Sequence, residues 1–439
     1  MRVTRTHPAA SALDARAAAR ELAPRLERLR HELHAHPEIG LQLPRTQERV
    51  LAELADLPLE ITLGERCSSI TAVLRGTAPD RPESAPAVLL RADMDGLPVT
   101  EDTGLPWASQ IPGAMHACGH DLHTAMLAGA ARILSEHRDQ LPGDIVFMFQ
   151  PGEEMHDGAR VMIEEGVLDA AGPRVRAAFG VHVFANTLAQ HALVSRPGAM
   201  LAAADGIRVT VMGQGGHSSA PQRAVDPVPI AAEMILALQS FVTREFDAFD
   251  PLIIGIGAVQ GGDLAAPNAI PEEVRFAASV RFWSEETRQR FHTRVDELLG
   301  GIASAHRARV DVAHVSGYPV TVTDPAETRF AQDSLTAAFG PDAFTLMRNP
   351  LGGSEDFSRV LAEVPGTFIG LGATPSGEDP AVAPDNHSPR ARFDDAVLPT
   401  GAAVYAELGA RRLVEFAHHT PSSLETSSEG KDTGHDPHH

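Results

Sequence analysis

Cysteine is scarce: the chain has two, at positions 67 and 118, in 439 residues. Two thiols make no disulfide framework, and such usage fits a reducing compartment. No run approaches the roughly 18 apolar residues of a membrane span. The opening residues Met1-Arg2-Val3-Thr4-Arg5-Thr6-His7-Pro8 lack the apolar core of a secretory signal. Basic charge is short as well, since 37 lysines and arginines stand against 58 acidic residues for a formal net charge of −21. A polyanion or an acidic membrane surface would meet net repulsion with no basic stripe to offset it, so nucleic-acid and membrane partners are excluded. Solubility accounts for most of that charge. These absences predict a soluble cytoplasmic protein without short internal repeats.

Hydrophobic residues make up 43% of the chain, enough for sizeable cores, and the length exceeds what one core serves, so two domains are expected. Leu22, Leu26, Leu29 and Leu33 recur at helical spacing and stop at His36-Pro37-Glu38-Ile39-Gly40. Apolar runs at 69–74, 87–91, 145–149 and 177–183 read as strands, and 121–136 and 158–165 as helices. That alternation predicts an α/β sheet with helices on its faces and ligands at the strand ends. From 206 the rhythm changes to strand 206–212, helix 227–246, strands 252–260 and 273–282, helix 286–303 and strand 309–316. This is the β-α-β-β-α-β order of a ferredoxin-like unit, read as a domain inserted into the first. A strand at 367–371 and a helix at 395–412 resume the α/β pattern. The expected organisation is a discontinuous domain over 1–203 and 317–417, an inserted domain at 204–316, and a Ser/Thr/Glu/Gly/His-rich disordered tail at 418–439.

The chemistry concentrates in Met115-His116-Ala117-Cys118-Gly119-His120-Asp121, where a thiol and an imidazole stand one residue apart. Alone, Cys118 would be a small buried hydrophobe and His120 a residue at a helix start. A second cluster, Phe149-Gln150-Pro151-Gly152-Glu153-Glu154, and His182 in Gly180-Val181-His182-Val183 change that reading. Each follows a strand-like run, so all three can meet at one edge of a sheet. Thiolate, imidazole and carboxylate together suit Zn²⁺ or a similar divalent metal, with a spare carboxylate to act as base. Adjacent glutamates on an extended segment point different ways, so one can ligate while the other faces water. A nucleophilic Cys118–His120 pair is a rival, but that spacing does not ensure that thiol and base meet, and it leaves Glu153 and Glu154 unused. A structural zinc site would need four closed ligands and no base.

Seven motifs then appear in a family's order: Arg91-Ala92-Asp93-Met94-Asp95-Gly96-Leu97-Pro98, Met115 to His123, Gln150-Pro151-Gly152-Glu153-Glu154, Gly213-Gln214-Gly215-Gly216-His217-Ser218-Ser219, Asn268-Ala269-Ile270-Pro271, Gly353-Ser354-Glu355-Asp356-Phe357 and Asn386-His387-Ser388-Pro389. The chain resembles the amidohydrolase branch of the M20 metallopeptidases, which includes hippurate hydrolases, N-acyl-L-amino-acid amidohydrolases and auxin-conjugate hydrolases. The resemblance extends from about Leu29 to about Phe416. It implies a discontinuous α/β metallohydrolase domain with a mixed sheet and an inserted ferredoxin-like lid and dimerisation domain. It makes Cys118, His120, Glu154, His182 and His387 ligands of two divalent ions (Zn, Mn, Co or Ni), and Glu153 the general base. Asp93 and Asp95 either orient ligands or cap the following turn; His116 and His123 are structural rather than ligating. The resemblance further implies that His217 reaches across a homodimer interface to the scissile carbonyl, and that Asn268 and Arg281 hold the substrate near its carbonyl and carboxylate. For Arg281 the rival is a strand-end surface ion pair. Gly352-Gly353-Ser354 would be a loop beside that carboxylate. Gly152 and Gly96 stand where the family commonly has Ala, and Gly152 is expected only to loosen the backbone. The implied activity is hydrolysis of N-acylated amino acids. A di- or aminopeptidase is the alternative and would need a group for a free α-amine; a catalytically silent binding protein is disfavoured because the base and all five ligands are present.

Overall fold

The computed structural model describes residues 13–418; residues 1–12 and the expected tail from 419 onward lie outside the described residues. Strands Ala87–Asp93, Asp144–Gln150, Ala177–Phe184 and Gly366–Gly372 are apolar and buried along almost their whole length, as parallel strands covered on both faces must be. They form the parallel centre of an eight-stranded mixed sheet. Its order is Leu59–Leu63, Ile70–Arg75, Asp144–Gln150, Ala87–Asp93, Ala177–Phe184, Gly366–Gly372, Leu193–Ser195, Phe344–Leu346. Antiparallel pairings at both margins make the sheet mixed, as expected. The four parallel strands share one carboxyl edge, where ligands of such sheets gather.

Helix His120–Glu136 lies inside one layer and is buried at every position but its last, packed between the sheet and helices Ala15–His34 and Leu398–His418. Leu26, Leu29 and Leu33 form the buried stripe of the first helix, which ends before Pro37. From the last helix Tyr405 reaches into the sheet: its hydroxyl donates to the Arg91 carbonyl (2.6 Å) and accepts the Val181 N–H (3.1 Å). The opposite face is sealed by Val146, Met148, Met162, Phe357 and Phe368 under the short helices Gly158–Glu164 and Ser358–Glu363.

Between Leu201 and Tyr318 the chain builds a second, antiparallel sheet in the order Leu252–Gly261, Glu273–Phe282, Ala203–Met212, Arg309–Val315. Burial alternates along Glu273–Phe282, the mark of a sheet packed on one face and solvated on the other. Helices Pro227–Glu245 and Glu285–Ala305 cover the packed face, around an apolar core of its own that includes Val209, Met234, Leu238, Phe276, Phe291 and Val295. A two-residue ribbon pairs Gly216–His217 with Ala269–Ile270.

Candidate metal centre

The carboxyl edge of the large sheet assembles the cluster. Gly119 precedes helix His120–Glu136 with φ +85°, and a Cβ there would lie 2.3 Å from the Val183 side chain. Only glycine satisfies both the left-handed backbone and the close approach, which brings Cys118 and His120 against strand Ala177–Phe184. Cys118 Sγ stands 3.4 Å from His182 Nε2 and 3.2 Å from His387 Nε2. The His387 Nε2 lies 3.1 Å from Glu154 Oε1. His182 Nδ1 donates to the Val183 carbonyl (2.8 Å), so its Nε2 lone pair is left for the cluster. His387 comes from a distant loop, with φ +70°, and its N–H is held by the Ala117 carbonyl at 2.8 Å. Its neighbour Asn386 accepts from Ala185 N (2.9 Å) and donates to the Val183 carbonyl (3.0 Å), stitching that loop onto the earlier strand.

Glu153 and Glu154 differ from the expectation. They lie in a turn after strand Asp144–Gln150, not on an extended segment. Gly152 makes that turn with φ +74°, and a Cβ would come within 2.6 Å of Leu41. The glycine is therefore required here and does more than loosen the backbone. Because strand alternation cannot aim the two side chains, Asp95 does: its two carboxylate oxygens accept the N–H groups of Glu153 and Glu154, each at 2.9 Å. Burial, then the carboxylates of Glu355 and Glu154, push Glu153 well above the usual carboxylate range. Nearby divalent cations would draw it back down.

His120 carries the test of whether these residues fit a metal. It is fully buried and neither ring nitrogen has a hydrogen-bond partner among the described residues; the nearest carboxylates, Asp93 and Asp95, are 3.7 and 3.6 Å away. Glu154 Oε1, also buried, has the His387 Nε2 at 3.1 Å as its polar neighbour. Buried polar atoms without a partner, such as the His120 nitrogens, cost free energy unless another group completes them. Three sets of side chains each bring their ligand atoms within 4.8 Å of one another: Cys118, His120 and His182; Cys118, Glu154 and His387; His120, Glu153 and Glu154. Cys118 belongs to two of the sets. The donors are those a borderline divalent metal takes, so the residues fit the group.

His123 also lies near His120, but both its nitrogens are committed: Nδ1 to Asp93 (2.5 Å) and Nε2 to the Val183 N–H (2.8 Å). His116 is buried, which pushes it down to about 4, so it is neutral. Behind the cluster sits a network that sequence reading did not single out. Arg91, fully buried, donates to Asp93 (2.6 Å), Glu355 (2.7 Å), Asp356 (2.9 Å) and Gln150 (2.9 Å). Its guanidinium holds the Asp93 carboxyl well below its ordinary value despite burial, so Asp93 stays an anion that fixes His123. An arginine inside an apolar central strand is the signal that was available, because a buried charge must be paired.

The four-stranded unit carries the remaining expected residues. His217 and Asn268 come together on the ribbon, where the Ser218 N–H bonds the Asn268 carbonyl at 2.9 Å, and both are exposed. His217 Nδ1 accepts from the Ser219 N–H (3.2 Å), which leaves the proton on Nε2. Arg281 is half-buried and has no ion pair among the described residues; its one hydrogen bond is a 3.4 Å contact with Ser354 Oγ, and burial alone lowers it from its ordinary value. Arg281 thus forms no surface ion pair among the described residues, and Ser354 places the Gly352-Gly353-Ser354 loop beside the guanidinium.

Several known proteins resemble this chain over most of its length. The IAA-amino acid hydrolase ILR1-like 4 of Arabidopsis thaliana is 34% identical over 88% of this chain and 86% of its own length. The N-acetylcysteine deacetylase of Bacillus subtilis is 31% identical over 88% and 96%. The crystal structure of the Bacillus subtilis YXEP protein, a dinuclear metal binding peptidase from the M20 family, superimposes with a TM-score of 0.75 at 28% identity, covering 90% of this chain and 99% of that one. Residues 89–411 match peptidase family M20/M25/M40, and the chain belongs to that family.

Proposed function

We propose that this chain, a metal-dependent hydrolase of amide bonds, cleaves N-acylated amino acids to a carboxylic acid and a free amino acid. The observation that carries the reading is the overlap of three sets of potential ligand atoms at Cys118 and His120, one of which brings Glu153 to the cluster. Cys118, His120, Glu154, His182 and His387 would hold two divalent ions, Cys118 and His120 each belonging to two of the overlapping sets. Such ions supply Lewis acidity, polarising a carbonyl and acidifying water. Glu153 takes a proton from the attacking water and delivers it to the leaving amine nitrogen as the C–N bond breaks. Asp95 holds the backbone of both glutamates, Asp93 holds His123 in place, and burial keeps that imidazole neutral. In the same reading 1–203 with 317–417 is the catalytic domain and 204–316 a lid.

Arg281 receives the substrate carboxylate, since a half-buried guanidinium without an anionic partner offers a planar fork for one. Expected in a steady-state panel is turnover of N-acetyl, N-benzoyl or indole-acetyl amino acids, with dipeptides bearing a free amine hydrolysed poorly. Arg281→Ala should raise KM about 10- to 100-fold, the worth of a charge-assisted hydrogen-bond pair. Equal activity on free-amine dipeptides would move the assignment to a peptidase.

His217 acts from the partner in a homodimer, donating from Nε2 to the developing oxyanion. Supporting this are its exposure and the large exposed apolar side chains Leu236, Phe249, Ile253, Val259 and Leu264 on the same unit. His217→Ala alone should lose about 10²–10³ in turnover. Co-expressed with Glu153→Gln, random pairing makes roughly half the dimers hybrid, and about a quarter of all sites recover, because each hybrid has one site with both groups intact. Hybrids that form without regaining activity would place His217 within its own subunit or outside the reaction. No described helix is long and apolar enough to cross a membrane; a cytoplasmic location completes the proposal.

A further inference from the structure

We propose that Tyr318 is a positioning residue for the base: its hydroxyl ties the loop carrying Glu153 and Glu154 to the segment by which the chain leaves the four-stranded unit, so that the direction of the Glu153 carboxylate follows the seating of that unit. The inference rests on the reading of Glu153 as the base.

The loop makes two backbone bonds of its own, from the Met155 N–H to the Glu153 carbonyl (2.8 Å) and from the Gly158 N–H to the Gly152 carbonyl (3.1 Å), but its backbone is strained. Three of its residues, Gly152, Met155 and Asp157, have φ of +74°, +71° and +56°, and two of these are not glycine. Such backbone persists only where surrounding groups over-determine it. Groups of the large sheet fix part of it. Asp95 takes the Glu153 and Glu154 amides, and Asp356 takes Gln150 Nε2 (2.8 Å) and the Ala159 N–H (2.9 Å) on either side of the loop. The Glu153 carbonyl and the Asp157 amide are also held from outside the loop. The Tyr318 hydroxyl donates to the Glu153 carbonyl and accepts the Asp157 N–H at 3.2 Å, and the ring is buried.

Tyr318 in turn belongs to the crossover. The Asp205 carboxylate, at the start of the unit, accepts the Gly317 N–H at 2.9 Å, and the Tyr318 carbonyl accepts the Ala204 N–H at 3.3 Å. A Cβ on Gly317 would meet the Ala204 carbonyl at 1.9 Å, so the outgoing and returning strands are in direct backbone contact. Asp205 is also gripped by Arg288 of the unit's second helix, at 2.7 and 2.8 Å. A second strap runs alongside: Arg359 forks onto the Asp157 carboxylate (3.1 and 3.0 Å) and donates to the Gly317 carbonyl (3.4 Å). Movement of the unit as it takes up substrate therefore reaches the Glu153 backbone through one hydroxyl and one guanidinium.

The test uses full-length, metal-loaded protein. Tyr318→Phe keeps the ring and removes both bonds; kcat should fall about 10- to 100-fold, with KM and metal content within about twofold of wild type. Exchange of the Asp157 amide with solvent should quicken by about tenfold or more. Arg359→Gln should move both readouts the same way by less, and the double variant should lose less than the product, because both act on one loop. Glu153→Gln is measured alongside. If it is nearly dead while Tyr318→Phe retains wild-type kcat, the positioning role is overturned and the base stands; if Glu153→Gln keeps turnover, the reading of the base fails whatever Tyr318 does. Loss of metal in Tyr318→Phe would make the tyrosine a support of the ligands and overturn the proposal. Should Tyr318→Phe not fold, unchanged kcat and unchanged Asp157 exchange in Arg359→Gln overturn it instead.

Discussion

Stripping the protein of divalent metal is expected to abolish amide hydrolysis, and adding Zn²⁺, Mn²⁺, Co²⁺ or Ni²⁺ back is expected to restore it. The size of the effect follows from the chemistry. An amide is a poor electrophile and neutral water a poor nucleophile, and Lewis-acid activation contributes several kcal/mol, about 10³-fold or more in rate. The structure adds a second reason. Without cations the cluster contains a buried imidazole, His120, whose two nitrogens have no hydrogen-bond partner among the described residues. Metal should therefore stabilise the fold as well, read as a Tm that rises with added ion. Full activity in protein shown by elemental analysis to be metal-free would sink the reading.

The second large effect separates the two glutamates. Glu153→Gln keeps the size of the side chain and the backbone N–H that Asp95 holds, so the loop should survive; turnover should fall about 10²–10⁴-fold at unchanged metal content. Glu154→Gln should instead weaken metal binding, because a neutral amide replaces a carboxylate 3.1 Å from His387. The two variants differ by one position and should fail in opposite assays: metal content for one, rate at full metal loading for the other. Near-normal turnover in Glu153→Gln would remove it as the base.

Much of this was legible in the chain. The apolar runs at 87–91, 145–149 and 177–183 announce buried parallel strands, and chemistry at or near their carboxyl ends follows from the topology of such sheets. The strands Leu193–Ser195 and Phe344–Leu346 were not read, because three residues are too few to show a period. Helices Pro44–Leu54 and Pro325–Phe339 were passed over although each begins with a proline at its first turn. The Glu153–Glu154 turn was read as extended, since nothing local distinguishes a left-handed Gly152 from a flexible one; Leu41, far away in sequence, decides it. Partners were the least visible part. Arg91 meets Glu355, 264 residues downstream, and spacing says nothing about such a pairing. Scarcity would have helped, since the chain has two tyrosines, and both place a buried hydroxyl on the backbone around the site.

The last helix, Leu398–His418, bears on how the protein is made. Tyr405 bonds two central strands, Ala87–Asp93 and Ala177–Phe184, and His387 lies only a little before it in the chain. The apolar core of the four-stranded unit, by contrast, is drawn from the contiguous stretch between Ala203 and Val320. On the ribosome that unit has its whole apolar core while the large sheet still waits for helix Leu398–His418 and the cluster for His387. A nascent chain halted short of His387 would carry a complete four-stranded core beside a cluster still lacking that imidazole, so the cluster closes after the unit does.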